Sequence, residues 1–337
     1  MQPCLDYFCS VLLEQYTQTV GTGKSPARWK RILPQLRQHT RHTATDNIKK
    51  QDNMIEINDI SFRYPGTKHD IYSGFSLTLS ENRIYGVLGK NGTGKSTLLY
   101  LISGLLRPGK GSILVDGMDT RRRYAEMLSE MFIVPEEFAL PRTSLDDYVL
   151  INCKFYPRFS TEVLANCLRD FDLPLSLNLD ALSMGQKKKV FMSFALAANT
   201  KFLLMDEPTN GLDIPSKSQF RKVIANNMTP DRTLIISTHQ VHDIEPLLDH
   251  ILIFDHGRVA LDASVDDVCG SYTFETRHPG DDMSDAIYSE RSIQGNAVIA
   301  RRGNREETPA NLELLFNAVA NGLISNATLN NNNDKTE

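Results

Sequence analysis

Ile84-Tyr85-Gly86-Val87-Leu88-Gly89-Lys90-Asn91-Gly92-Thr93-Gly94-Lys95-Ser96 starts as a short apolar run, turns polar and glycine-rich, then opens into the periodic text Lys95–Leu106. An apolar run bounded by turn residues reads as a buried strand, and the text beyond it as a helix. Between them, Gly89–Ser96 matches G-x-x-x-x-G-K-[ST] in the strand–loop–helix setting that gives this pattern its meaning. Glycines let backbone N–H groups turn inward around polyphosphate oxygens, and the helix N-terminus adds partial positive charge. The spacing predicts a binding stretch of Gly89, Lys90, Asn91, Gly92, Thr93, Gly94, Lys95, Ser96 and Thr97, with Lys95 reaching the terminal phosphates and Ser96 ligating Mg²⁺. A second glycine-rich stretch, Gly21-Thr22-Gly23-Lys24-Ser25, mimics only the end of the motif. Gln18 stands where its first glycine would be, no apolar run precedes it, and Pro26 follows at once.

Outward from this loop, two more short apolar runs, Phe202–Met205 and Leu234–Ile236, read as buried parallel strands. Each precedes helix-like text, Ile214–Met228 and Asp243–Leu248, and this alternation predicts a parallel α/β core. Upstream, Met54–Phe62 and Phe75–Leu79 alternate apolar with polar residues and Ser112–Val115 resembles a further strand, which predicts an antiparallel portion. Residues 142–181 carry helix-like text (Ser144–Cys153, Thr161–Asp170) and predict an inserted helical subdomain spanning about 142–190. The expected organisation is an N-terminal extension over 1–53, poorly structured or partly helical and dispensable for catalysis, then a catalytic domain over 54–262. A C-terminal extension over 263–337 follows, with one short amphipathic helix at Leu312–Ala320 and a disordered asparagine-rich tail from Asn326.

Phe202-Leu203-Leu204-Met205-Asp206-Glu207 sets two carboxylates at the end of a buried strand, the edge at which such sheets bind ligands. Asp206 suits a Mg²⁺ shell and Glu207 the polarisation of an attacking water.

Leu182-Ser183-Met184-Gly185-Gln186 resembles the ATP-binding cassette (ABC) signature Leu-Ser-Gly-Gly-Gln, with Met184 in place of the first glycine. Other marks stand in that family's order over residues 54–260. Asn210-Gly211-Leu212-Asp213 resembles the D-loop, His239 the switch histidine, and Tyr64 the aromatic that stacks on adenine. The resemblance implies a P-loop NTPase fold of the ABC type: α/β, with an antiparallel β portion and an inserted helical subdomain. It further implies ATP and Mg²⁺ as ligands, Glu207 and His239 in catalysis, and Ser183, Gly185, Gln186 and Asp213 in nucleotide binding across a dimer. Tyr64 on its own reads as a strand aromatic packed on the core, and its place in the family order favours adenine stacking. Lys187, Lys188 and Lys189 open an apolar helix, where cations oppose the dipole, and read as a solvated basic face or as lysines near an anionic ligand. Where the family carries a glutamine between cradle and signature, this chain reads Phe132-Ile133-Val134-Pro135-Glu136-Glu137. Glu136 is thus a candidate Mg²⁺ ligand or a solvent-facing acid.

With one cradle and one signature, the resemblance implies a second cassette subunit as partner, identical or not. It also implies a separately encoded transmembrane permease and a cytoplasmic, membrane-peripheral location. The Leu312–Phe316 helix resembles the end of exporter-type subunits; a non-transporter cassette ATPase, of the iron–sulfur assembly type for example, is the alternative. The bulk numbers agree. A net charge of −4 on 337 residues does not suggest nucleic-acid binding. Five scattered cysteines without a CxxC pair suggest neither a disulfide framework nor zinc. The longest apolar run, Val190–Ala198, is far short of the about 20 residues a spanning helix needs.

Overall fold

In the computed structural model the described residues are 54–278, 280–293 and 295–330, all within one compact unit, Asp52–Glu337. The expectations for residues 1–53 and for the tail beyond 330 lie outside them.

Three sheets organise the described residues. Strands β1 (Ile55–Phe62), β2 (Tyr72–Leu79), β4 (Lys110–Val115) and β5 (Met118–Asp119) form an antiparallel sheet in the order β2-β1-β4-β5. The period-2 text of β1 and β2 is what a half-buried strand requires: Ile55, Ile57, Ile60, Phe75, Leu77 and Leu79 enter the core while Glu56, Ser76 and Thr78 do not. The second sheet contains β3 (Ile84–Gly89), β6 (Met131–Val134), β7 (Phe202–Asp206), β8 (Thr233–Thr238), β9 (His250–Asp255) and β10 (Arg258–Ser264), in the order β10-β9-β3-β8-β7-β6. It is parallel from β9 to β6, and only β10 runs antiparallel, on the edge. All residues of β3, β7 and β8 are buried, which explains their unbroken apolar text.

The register fixes the site. Leu88 pairs with Thr238, Gly89 with Phe254, and Asp206 with Ser237, so the polar ends of four adjacent strands lie side by side. Helix α1 (Lys95–Ile102) leaves this edge from β3, and α2 (Ala125–Ser129) precedes β6. The helical insert comprises α3 (Leu145–Asn152) and α4 (Thr161–Asp170), capped by the Ser144 and Ser160 hydroxyls, and the start of α5 (Met184–Ala197). Helix α6 (Ile214–Asn227) follows β7 and is capped by Asp213.

A fully buried arginine ties the far ends of α5 and α6 together. Arg232, at the start of β8, donates to the carbonyls of Asn227 (2.6 Å), Leu196 (3.3 Å) and Thr200 (3.3 Å) and to the Asn199 side-chain oxygen (2.8 Å). These acceptors are neutral, and two are carbonyls at helix C-termini, where partial negative charge favours a cation. Burial pulls its pKa down to about 10, which still leaves the guanidinium charged near neutrality.

Three expectations need correction. The segment read as a helix over Asp243–Leu248 forms two 3₁₀ turns, Val241–Asp243 and Glu245–Leu247, with Pro246 inside the second; proline lacks the N–H that a continuing helix needs. After α7 (Val265–Ser271), residues 271–310, polar and weakly patterned, hold a third sheet. Its strands β11 (Tyr272–Arg277), β12 (Ala286–Ser292) and β13 (Gly295–Arg301) order as β11-β13-β12. Helix α8 (Leu312–Ala320) follows as expected, but Asn326–Asn330, expected to be disordered, forms a short helix α9.

Candidate functional site

The loop after β3 is shaped by close approach. Gly92 and Gly94 sit at positive φ (82° and 107°), and a Cβ on Gly94 would lie 2.8 Å from the Tyr72 hydroxyl. That hydroxyl donates to the Gly94 carbonyl at 2.8 Å and pins the turn into α1. A Cβ on Gly89 would meet the Phe254 carbonyl at 2.9 Å, so neighbouring backbone also closes the first glycine position. Lys95 folds over the loop and is only 5% exposed. Its Nζ donates to the Gly89 and Lys90 carbonyls at 2.7 and 3.1 Å. Burial lowers its pKa, while Glu207, Asp206 and Glu136 oppose that shift. Thr93 donates to the Lys90 carbonyl, and Thr97 is buried one turn on. The loop thus holds one ammonium against two of its own carbonyls, with Lys90, Asn91 and Gly92 exposed at the rim.

Across from it stand the two carboxylates. Asp206 is almost fully buried; the Ser237 hydroxyl donates to it, and Ser96 lies within hydrogen-bonding reach. Burial raises its pKa, and those two hydrogen bonds oppose the rise. Glu207 adopts a left-handed backbone (φ 45°), uncommon for a residue with a side chain. Its Oε2 accepts from the Thr238 hydroxyl (2.8 Å) and its Oε1 from the His239 backbone N–H (3.0 Å). The His239 ring meets the same Oε1 through Nδ1 at 2.7 Å. A carboxylate can only accept, so Nδ1 carries the proton in this contact, and Nε2 is left for another partner. Three of about four lone-pair sites on Glu207 are engaged, leaving one for a water.

The remaining expected residues are placed as follows. Tyr64 is half-buried, edge-on to Phe62 (centroids 4.9 Å, 85°), with its hydroxyl 3.1 Å from Thr97 Oγ1. It therefore packs on the core and also reaches the first turn after the loop. Ser183 and Gln186 form a capping box: Ser183 Oγ accepts from the Gln186 N–H, and Gln186 Oε1 accepts from the Ser183 N–H. The cap uses Ser183 Oγ as acceptor, so its hydroxyl proton and the N–H of Gly185 remain free to donate. Among the described residues, no hydrogen bond joins Ser183, Gly185 or Gln186 to the loop 89–97. Asp213 accepts from the Ser216 N–H at 3.0 Å, and hydrogen bonds from the Ser216 hydroxyl and then from that N–H hold its carboxyl below the usual range. Glu136 is exposed and accepts from the Asn210 amide at 2.8 Å.

Sequence reading assigned no role to Ser237 or Thr238, placed Asn210 in the D-loop resemblance without a partner, and left Lys188 between a solvated face and a place near an anionic ligand. Of the three lysines the outer two are half-buried, and Lys189 bonds Gln219 (2.9 Å) beside the Phe171 ring. Lys188 does not belong to a solvated face. It is 6% exposed, and its Nζ donates to the main-chain carbonyls of Glu207 (2.7 Å) and Asn210 (2.9 Å). No period distinguishes the middle lysine of three; the buried neighbours Val190 and Met192 on the same helix were the available signal.

A phosphate-cradling loop, paired carboxylates and a histidine at one strand edge are the parts of a nucleotide hydrolase. Residues 72–210 match the family described as ABC transporter. A putative ABC transporter ATP-binding protein of Thermosynechococcus vestitus is 31% identical over 229 residues, 65% of this chain and 81% of that protein. This chain belongs to the ABC transporter ATP-binding proteins. The cassette is similar, too, to the methionine import ATP-binding protein MetN of Carboxydothermus hydrogenoformans, at 33% identity over 64% of this chain and 67% of that one. A solved ATP-binding subunit of an ABC transporter superposes with a TM-score of 0.58 at 25% identity, covering 64% of this chain and 91% of its own. The cassette is therefore an ATPase subunit, and no helix among its described residues is long and apolar enough to cross a membrane.

Proposed function

We propose that the cassette hydrolyses ATP at its own strand edge, in a dimer with a second cassette, and drives a separately encoded permease from the cytoplasmic side in the exporting direction. The observation that carries the hydrolytic part is the triple hold on Glu207 by Thr238 and His239, facing Lys95 across the loop. In this reading Lys95 and the N–H groups of Gly89–Thr97 hold the phosphates, Tyr64 lies against adenine, and Glu207 takes the proton of the attacking water. His239 keeps that carboxylate in place and offers Nε2 to the terminal phosphate. Ser183, Gly185, Gln186 and Asp213 serve the nucleotide of the facing subunit, to which Ser183 offers its free hydroxyl proton.

The donor set fits Mg²⁺. Ser96 and Asp206 bring a hydroxyl and a carboxylate together, hard oxygen donors of the kind Mg²⁺ prefers. Among the described residues no group of three or more His, Cys, Asp or Glu forms a cage, which suits an ion that fills its shell with waters and phosphate oxygens. When bound, it would neutralise charge developing on the transferred phosphoryl group. Glu136 is proposed as a further ligand. On that basis, Glu136→Gln shrinks the ratio of ATP affinities with and without Mg²⁺ by about 5- to 150-fold, towards the low end because the side chain is solvated. Nucleotide titration with metal and with chelator measures it; Glu137→Gln is the control, and equal ratios would remove Glu136 from the shell.

The transport part is tested by purifying the tagged full chain from mildly solubilised membranes. A multi-spanning protein in stoichiometric amount is expected; its absence after cross-linking would favour a non-transporter cassette ATPase. Export rests on the helix Leu312–Ala320 beyond the cassette, and cells carrying Glu207→Gln should retain the cargo rather than lose it.

A further inference from the structure

Lys188 presents a physical problem. An ammonium is buried beneath the catalytic carboxylates, yet no carboxylate oxygen among the described residues lies within ion-pairing distance of it. Its two acceptors are main-chain carbonyls, Glu207 at 2.7 Å and Asn210 at 2.9 Å. A buried charge is costly unless hydrogen-bonded and compensated by others. Both carbonyls belong to one turn, in which the Asn210 N–H also donates to the Glu207 carbonyl at 3.2 Å. The turn begins at Glu207 in a left-handed conformation, which is strained for a non-glycine residue because its Cβ crowds the neighbouring carbonyl oxygen. Lys188 thus clamps the first and last carbonyls of the strained turn that aims the Glu207 carboxylate.

The same Asn210 reaches the other way. Its side-chain amide donates to Glu136 Oε1 at 2.8 Å. Glu136 and Lys188 are therefore the two ends of one hydrogen-bonded path, with Asn210 bonding each through a different group. We propose that Glu136, Asn210 and Lys188 are a positioning relay in which the charges of Glu136 and Lys188 balance one another and hold the Glu207 turn in its hydrolytic geometry. Burial lowers the Lys188 pKa, and the charge that most strongly opposes this is Glu136, ahead of Glu207 and Asp206. With Glu136 neutral, Lys188 would lose its chief compensation; with Lys188 neutral, three carboxylates would face one another with one cation fewer. Neutralising both restores the balance. The inference deepens the proposed hydrolytic site and rests on it.

The test uses the full chain and four proteins: wild type, Glu136→Gln, Lys188→Gln and the double variant. Glutamine at 136 still accepts from Asn210 and glutamine at 188 can still donate to the turn, so the series changes charge while keeping hydrogen-bonding capacity. ATP turnover is measured at saturating ATP and Mg²⁺. Each single substitution is expected to lower kcat about tenfold, the size of a coupling between groups in one network, and the double variant to return within about threefold of wild type. Any change in KM from Glu136→Gln belongs to metal binding, and Lys188→Gln should not repair it. Losses that multiply in the double variant overturn the relay. If Lys188→Gln alone does not stay folded, thermal melting decides: a midpoint recovered in the double variant supports charge balance, and one no higher than the single variant's refutes it. A wild type without turnover would sink the hydrolytic reading itself, a result distinct from all of these.

Discussion

Glu207→Gln is expected to lower ATP turnover by about 10²- to 10⁴-fold while leaving nucleotide binding intact. The substitution keeps the shape of the side chain, and its amide oxygen can still accept from the His239 N–H, as the carboxylate does at 3.0 Å. It removes the basic lone pair left over after Thr238 and His239 have taken theirs. The phosphate loop is untouched, so ATP should accumulate unhydrolysed, and size-exclusion chromatography with ATP should show the dimer more strongly than for wild type. Phosphate release and elution volume are the two measurements. Wild-type turnover in this variant would mean the catalytic carboxylate lies elsewhere.

Lys95→Ala is expected to act one step earlier, on binding. Lys95 is the one ammonium enclosed by the loop, bonded to the Gly89 and Lys90 carbonyls and nearly excluded from solvent. An anionic phosphate is a stronger acceptor than either carbonyl, so in the bound state the ammonium is expected to turn to it. Truncating one partner of a buried charged hydrogen-bonded pair costs about 2–5 kcal/mol, roughly 30- to 4000-fold in Kd. Equilibrium binding of a fluorescent ATP analogue would show it, with thermal melting as the control for loop collapse. An affinity within threefold of wild type would contradict the assignment.

The two variants separate functions that lay legible in different degrees along the chain. The loop and the Asp206–Glu207 pair could be read because a buried strand imposes an unbroken apolar run that ends abruptly in chemistry, as Phe202–Asp206 does. The antiparallel strands β1 and β2 showed their period for the same reason. The third sheet was not legible. Its outer strand β12 reads Ala286-Ile287-Tyr288-Ser289-Glu290-Arg291-Ser292, and ion pairs among Arg277, Glu275, Asp285 and Arg305 replace apolar cues. Ser237 and Thr238 escaped because hydroxyls serving the carboxylates look like ordinary strand-end residues. The partners of Asn210 and Lys188 escaped because their bonds join residues 22 and 74 positions apart, which no local pattern records.

Arg232 bears on what the signature helix can do. Helix α5 starts at the capping box of Ser183, and α6 starts at Asp213, beside the D-loop; both finish on the same guanidinium. Two prongs joined at a single root behave as a fork. Swinging one prong without the other would strip hydrogen bonds from a charge that keeps its proton near neutrality and has no solvent to replace them. In the proposed dimer, what one subunit would offer its neighbour at Ser183 and at Asp213 should therefore advance or retreat in step, making the approach of two subunits a single stroke.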